Sequence, residues 1–430
     1  MVRFFQILLI GILTSLFFFP FEFMALPGIN TKMMLAVTGL FFVAFQLVKR
    51  RTFTIPIELL ALVFIAGAVS LVSLLSITIN QTPDTTYVSY IVSFSVWLSA
   101  AFAVCCCMKA VHREIGVQLV LNYLTGVCVF QCIMALVIDS YPAVQSFVDR
   151  YIAQGQDLMH EINRLYGIGA LLDVAGARFS AVLVGLGFYL SEVSKPLKPG
   201  TRVIYIISFL VISIIGNMIA RTALVGVAVG LGFIILGQIF RPSDYTSNQK
   251  QMAFFTWVGV LAIGILICVV LYNTNPQARR LFRFGFEGFF SLVEKGHWET
   301  SSTDKLVQTM VVFPETLHTW IIGDGYFLNS RYDVNYLGDA TDQGFYMGTD
   351  VGYLRFIFYF GIVGLIPMMM VILYSAYVCA KHFRREAWLF VLAALVGLIV
   401  WFKVSTDIFL FFALFLSAAA LQEDTSKQHA

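Results

Sequence analysis

Twelve segments of this chain are long, unbroken and apolar, and they decide what it can fold into. They run roughly over residues 4–20, 32–48, 56–78, 88–107, 115–138, 178–193, 203–220, 222–240, 252–272, 351–378, 387–402 and 404–421. A membrane-crossing helix needs about 20 mostly apolar residues, whereas a transmembrane barrel shows short strands of alternating polarity. Backbone amides in hydrocarbon have no water to bond, so such segments satisfy their own hydrogen bonds as helices. Composition agrees, with 59% hydrophobic and 12% charged residues, where soluble domains carry about a quarter charged. A 430-residue globule with so little charge has no means of covering itself with polar surface. Soluble enzymes, disordered chains, secreted disulfide scaffolds and basic nucleic-acid binders are excluded. The expectation is an all-α polytopic membrane protein with about twelve transmembrane helices. The first segment is longer than a signal-peptide core and lacks a small-residue cleavage site, so it is read as a span.

This reading divides the chain into helices 1–5 (1–138), an outer amphipathic loop (139–177), helices 6–9 (178–272), a large outer loop (273–350), helices 10–12 (351–421) and a tail (422–430). Twelve spans put both termini on one side, and the distribution of Lys and Arg says which. With the termini cytoplasmic, the inner loops hold 15 of the 28 basic residues and 7 of the 25 acidic ones. They include Lys49, Arg50, Arg51, Lys195, Arg241, Arg384, Arg385 and Lys427, while the outer loop 79–87 has no Lys or Arg. The seven cysteines fall within predicted spans or at their cytoplasmic ends, so no outer disulfide is expected; Cys128 and Cys132 read as small apolar side chains.

Polar residues concentrate in the two outer segments. In the first, Val144, Phe147, Val148, Tyr151 and Ile152, then Leu158, Met159, Ile162 and Leu165, recur at helical spacing. They predict a pair of amphipathic helices on the membrane surface. The second opens on Pro276 and Arg279, Arg280 and Arg283, interleaved with phenylalanines. A helix over about 303–320, interrupted or kinked at Pro314, is expected next, followed by the turn Gly323-Asp324-Gly325-Tyr326 and an acidic run with Asp333, Asp339, Asp342 and Asp350. No phosphate-binding Walker loop is present, so nothing points to an ATP-driven pump.

Three arginines stand at outer ends of spans: Arg178, Arg221 and Arg355. An arginine at the bilayer centre costs at least about 2.5–3.5 kcal/mol, less toward the interface. Positive charge on the outer side also opposes the orientation rule, so something compensates. Guanidinium is the preferred partner of phosphate, being permanently charged and offering paired donors. With Arg279, Arg280 and Arg283 the pattern points to an anionic headgroup at the outer face. Snorkelling, acidic neighbours or anchoring to anionic lipid are the plainer alternatives. For proton transfer the outer-side candidates are His318 and Asp350, the latter also read as the N-cap of the tenth span. Asp324, between two glycines, reads as a turn residue. No ligand spacing supports a metal site.

Three stretches resemble the superfamily of O-antigen polymerases (Wzy-type) and O-antigen ligases. They are Ile219-Ala220-Arg221-Thr222-Ala223-Leu224, Ile321-Ile322-Gly323-Asp324-Gly325-Tyr326, and Thr349-Asp350-Val351-Gly352-Tyr353-Leu354-Arg355 with Gly361 and Gly364 beyond it. The ligase branch carries a histidine where this chain has Asp350, and the acidic residue fits the polymerase branch. The resemblance implies a GT-C-like glycosyltransferase of the bacterial inner membrane, working at the periplasmic face without a metal or other cofactor. Donor and acceptor would be undecaprenyl-pyrophosphate-linked oligosaccharides, joined into O-antigen, capsule or exopolysaccharide by inverting transfer, with a chain-length regulator as a possible partner and no nucleic acid. It implies pyrophosphate contacts at Arg178, Arg221 and Arg355 and a base at Asp350 or His318. The competing readings are a ligase to lipid A-core and a lipid-linked glycan flippase or transporter.

Overall fold

A computed structural model describes residues 2–50, 56–154, 159, 164–192, 196–239, 247–328 and 344–426. Arg51, Lys195, Arg241, Lys427, Leu158, Ile162, Asp333, Asp339 and Asp342, named above, lie outside the described residues. The chain is mostly helical, at 78%. Its helices are α1 (Val2–Phe18), α2 (Thr31–Arg50), α3 (Ile57–Asn80), α4 (Tyr90–His112), α5 (Val117–Ser140), α6 (Pro142–Tyr151), α7 (Leu172–Ser191), α8 (Pro199–Ile219), α9 (Ala223–Ile239) and α10 (Ser247–Thr274). They continue with α11 (Pro276–Gly285), α12 (Glu287–Lys295), α13 (Ser301–Lys305), α14 (Leu317–Ile321), α15 (Gly352–His382), α16 (Ala387–Val400) and α17 (Phe409–Ser426). Among the described residues seven helices are long and apolar enough to cross a membrane, or eight if the bent pair α10–α11 counts as one span. Parts of α1, α9 and α17 are apolar but shorter. Phe41, Phe64, Ile235, Ile265 and Ile366 face outward, the inverse of a soluble surface. The chain is a multi-pass all-α membrane protein.

It folds as two compact units: Met1–Thr31, Gly116–Trp298 and Phe383–Val396 in one, Lys32–Ile115, Glu299–His382 and Gly397–Ala430 in the other. The first is built around α7, which is buried from Ala175 to its end. Small residues let α9 approach it closely: a Cβ on Gly226 would lie 2.3 Å from the Ser180 Cα, and one on Gly187 2.7 Å from the Gly230 Cα. α8 passes through a π-helical turn at Ile212–Gly216, a local widening often found at functional sites, and stops at Ala220, whose backbone is extended. The reversal into α9 is tied down by Ser180, whose Oγ donates to the Thr222 carbonyl (2.9 Å) and accepts from the Gly226 amide (3.1 Å). Between α10 and α11 the chain bends by 119°. Asn275 caps the new helix by accepting from the amides of Gln277 (2.9 Å) and Ala278 (3.2 Å), and Pro276 fills the first position, where no amide is needed.

Two expectations change here. Arg178 does not open its helix: α7 starts at Leu172, so Arg178 sits six residues in, roughly 9 Å deeper. Of the predicted amphipathic pair, the first helix is α6; most of the second, 155–158 and 160–163, lies outside the described residues, with Met159 between them helical. After Tyr151 the chain instead forms a short strand, Ile152–Ala153, antiparallel to Glu22–Phe23, and residues 164–167 are not helical.

In the second unit α15 packs on α3 and α17, and α4 on both α3 and α17. At 31 residues α15 would run about 46 Å if straight, but it breaks at Phe360 (φ −139°) and Gly361 (φ +65°, ψ −171°). The helix expected over 303–320 is two short ones. α13 ends in a π turn at Leu306–Met310, the chain around Pro314 is not helical, and α14 restarts under its own cap, with Thr316 Oγ1 accepting from the Thr319 amide (3.1 Å). Proline removes a donor and its ring clashes with the preceding turn, so of the two alternatives at Pro314 the structure shows the interruption.

Candidate functional site

The break in α15 and the glycine turn at 323–325 form one structure. The break frees the carbonyls of Phe358 and Tyr359. The Asp324 amide donates to the first (2.6 Å) and the Gly325 amide to the second (3.1 Å). Ser76 Oγ, from the end of α3, also donates to the Tyr359 carbonyl (2.7 Å). Asn80 Nδ2 and Thr82 Oγ1 donate to the carbonyls of Gly323 (2.9 Å) and Gly325 (2.8 Å). Contact is backbone to backbone: a Cβ on Gly361 would lie 2.1 Å from the Ile321 carbonyl oxygen, and one on Gly323 2.6 Å from the Phe360 nitrogen. Gly361 is therefore required at a positive-φ break.

Arg355 stands one and a half turns above this break. Its guanidinium lies between the rings of Phe327 and Phe345, 3.9 Å from each centroid. Its side chain is only 7% exposed, and Nη1 reaches Asp350 Oδ1 at 3.4 Å. That distance is long for a charge-assisted bond, which runs about 2.7–2.9 Å, so the rings carry much of the compensation. Two desolvated cation–π contacts at about 2 kcal/mol each are of the size of the insertion cost. Asp350 is not a helix cap: the Val351 carbonyl accepts from the Arg355 amide (2.9 Å), and Asp350 precedes Val351. Asp84, in the loop after α3, fixes the Phe327 side of the clamp, its Oδ2 accepting from the amides of Phe327 (2.7 Å) and Leu328 (3.1 Å). Tyr87 packs its ring on Phe327 (5.0 Å), and the Tyr359 hydroxyl donates to the Asp84 carbonyl (2.8 Å).

Asp324 does more than turn the chain. Its carboxylate accepts from Thr319 Oγ1 (2.7 Å) and from the Tyr346 hydroxyl (3.1 Å). Burial pushes this carboxyl above its ordinary value, opposed by the two hydrogen bonds and by His318. A raised folded-state value means a stability contribution present below the unfolded value of 3.8 and lost as pH rises through the folded one. Asp324→Asn, which keeps one acceptor and does not titrate, is expected to lose less stability than wild type over that window. Thermal unfolding across pH, compared pairwise, checks it; parallel curves contradict the assignment. His318 is exposed on α14, with Nε2 2.8 Å from Asn80 Oδ1. His318 and Asp350 thus have separate partners.

In the α7 unit, Arg178 lies near the rings of Phe18 (6.0 Å) and Phe19 (5.7 Å) and is 7% exposed. Arg221 sits in the reversal after α8. Its Nη2 is 2.6 Å from Glu287 Oε2, and its guanidinium is 4.6 Å from the Phe284 ring. Asp173, in the first turn of α7, accepts from Thr222 Oγ1 beside it. The Arg279, Arg280 and Arg283 cluster is more exposed and largely engaged with its own surroundings. Arg279 donates to the last carbonyls of α10, Tyr272 (3.0 Å) and Asn273 (3.1 Å), where a cation suits the helix dipole. Arg283 pairs with Glu294 (2.5 Å) and donates to the Tyr272 hydroxyl (3.2 Å), and Arg280 meets Asp139 (3.4 Å).

Phe327, Phe345, Asp84 and Arg164 were not singled out in the sequence. Asp84 is the lone charge in segment 79–87, and Arg164 is a cation in the 139–177 segment just before Arg178. No protein-family model matches the chain, and no curated protein does.

Proposed function

We propose that the chain is a glycosyltransferase that joins undecaprenyl-pyrophosphate-linked oligosaccharide repeats into a polysaccharide at the periplasmic face of the bacterial inner membrane, with both termini cytoplasmic. One observation carries the reading. Two stretches that resemble O-antigen polymerases, 321–326 and 349–364, are 23 residues apart in sequence yet build a single structure, the turn seated in the broken helix below Asp350 and Arg355.

In this reading an acceptor hydroxyl attacks the anomeric carbon of the donor. The bond from that carbon to the pyrophosphate oxygen breaks, the electron pair leaves with the pyrophosphate, and the proton passes to Asp350. A single displacement inverts the anomeric centre. Arg355, in the same unit as Asp350, is a proposed pyrophosphate contact, a fixed cation that meets charge as it develops; Arg178 and Arg221, in the α7 unit, are the further contacts that the resemblance implies. Asp350 is preferred to His318 as base because it is half-buried beside Arg355, whereas His318 is exposed and bonded to Asn80. A flippase would draw support from the interrupted α15, since transporters use broken helices to bind cargo. The carbonyls freed here are occupied by the 323–325 turn and Ser76 instead, which favours the enzymatic reading.

Arg221→Ala, at normal membrane abundance, is expected to collapse the surface-polysaccharide ladder of a complemented deletion strain toward single repeats. Unchanged polymer length would remove Arg221 from the mechanism.

A further inference from the structure

Two cavities of the α7 unit share α5 and α11. The larger, about 580 Å³, is an apolar groove between α5, α8, α10 and α11, walled by residues such as Leu136, Ile207, Met218, Ile263, Leu271 and Phe282. The smaller, about 60 Å³, is polar and lined by Asp139, Gln145, Arg164, Tyr166 and Arg280 among others. On α11, Arg280 faces the small pocket while the next two residues, Leu281 and Phe282, face the groove; on α5, Asp139 and Leu136 divide the same way. A molecule with its chain in the groove has its head beside the pocket.

The pocket has cationic character that its own residues leave uncompensated. Arg164 is half-buried, and among the described residues no side chain hydrogen-bonds its guanidinium. It lies on the Phe284 ring (5.2 Å), the ring that also carries Arg221 (4.6 Å), so two guanidinium groups share one aromatic. Burial pulls Arg164 below its ordinary value, Asp173 opposes this and Arg221 adds to it. Arg280 is half-exposed and meets the pocket's carboxylate, Asp139, at 3.4 Å, a loose contact that an anion can share. An apolar groove that shares α5 and α11 with such a pocket is complementary to an anionic amphiphile.

The geometry points to a binding site for an anionic phospholipid of the bilayer, one acyl chain in the groove and its phosphodiester between Arg164 and Arg280. At about 30 Å³ per water-sized group, the groove holds roughly twenty such groups. That suits one acyl chain, of methylenes similar in size. The proposal does not rest on the glycosyl-transfer reading, and the polyprenyl phosphate arm of the test below separates the two lipids.

The test is native mass spectrometry and thermal unfolding of the purified, delipidated full chain, titrated with phosphatidylglycerol, phosphatidylcholine, a polyprenyl phosphate or inorganic phosphate. The expected result is retention of phosphatidylglycerol over phosphatidylcholine with a matching rise in unfolding temperature. Arg164→Gln and Arg280→Gln should each weaken that preference about fivefold. Gly264→Phe, which fills the groove from α10, should abolish retention of either phospholipid. If Arg164→Gln fails to fold, the half-exposed Arg280→Gln still decides the question. Equal retention of the two phospholipids, stabilisation by inorganic phosphate alone, or displacement of phosphatidylglycerol by polyprenyl phosphate would each overturn the proposal.

Discussion

Gly361→Ala is expected to abolish accumulation of folded protein. At φ +65° and ψ −171° the backbone lies in a region that only glycine occupies without strain, which alone costs about 1–3 kcal/mol. The added methyl would also lie 2.1 Å from the Ile321 carbonyl oxygen and 2.2 Å from its carbon. Neither is the end of a flexible side chain, so the backbone itself has to move. The movement pulls the 323–325 turn off the carbonyls of Phe358 and Tyr359, and each buried carbonyl left bare costs about 1–3 kcal/mol more. The sum is at least about 3 kcal/mol, a large part of the stability of most proteins. Gly232→Ala is the control: nothing lies within 4 Å of the added carbon on α9, and alanine improves helix propensity. Size-exclusion profiles and unfolding temperatures check both. A monodisperse Gly361→Ala protein with a near-normal unfolding temperature would show that the turn and the break are not coupled as described.

Asp350→Asn is expected to reduce polymer formation by at least about 100-fold, the lower bound for losing a positioned general base. Asparagine keeps the shape and one oxygen to face Arg355, so protein abundance should stay normal. His318→Gln should have a small effect. The pair separates catalysis from charge balance: a fully active Asp350→Asn protein means the carboxylate only neutralises Arg355, and a large loss on changing His318 moves the base to the imidazole.

The apolar segments were legible because hydrocarbon permits so few backbone solutions, and each of the twelve overlaps a helix, with ends displaced by up to six residues; among the described residues seven or eight are long and apolar enough to cross a membrane. The notable departures have local causes. α7 begins well before Arg178 because its first turn is anchored outside the apolar run by Asp173, hydrogen-bonded to Thr222. Pro314 separates two short helices because its ring and missing amide do not fit a continuing turn, and the second helix restarts under the Thr316 cap. The break at Gly361 was hidden inside an apolar run, where periodicity carries no signal for a positive φ. Of the candidate site, the arginines stood out because charge is scarce. Their compensation did not: Arg355 is held by Phe327 and Phe345 from outside its own helix, and ring contacts of that kind leave no spacing in the sequence.

The most direct measurement is a reconstitution. Purified chain in lipid nanodiscs is supplied with one defined lipid-linked repeat unit, and the products are sized and their linkage read by NMR. The account predicts chains of several repeats, still lipid-linked, with each new bond opposite in anomeric configuration to the donor. Unreacted single repeats from well-folded protein, or a linkage that retains the donor's configuration, would contradict it.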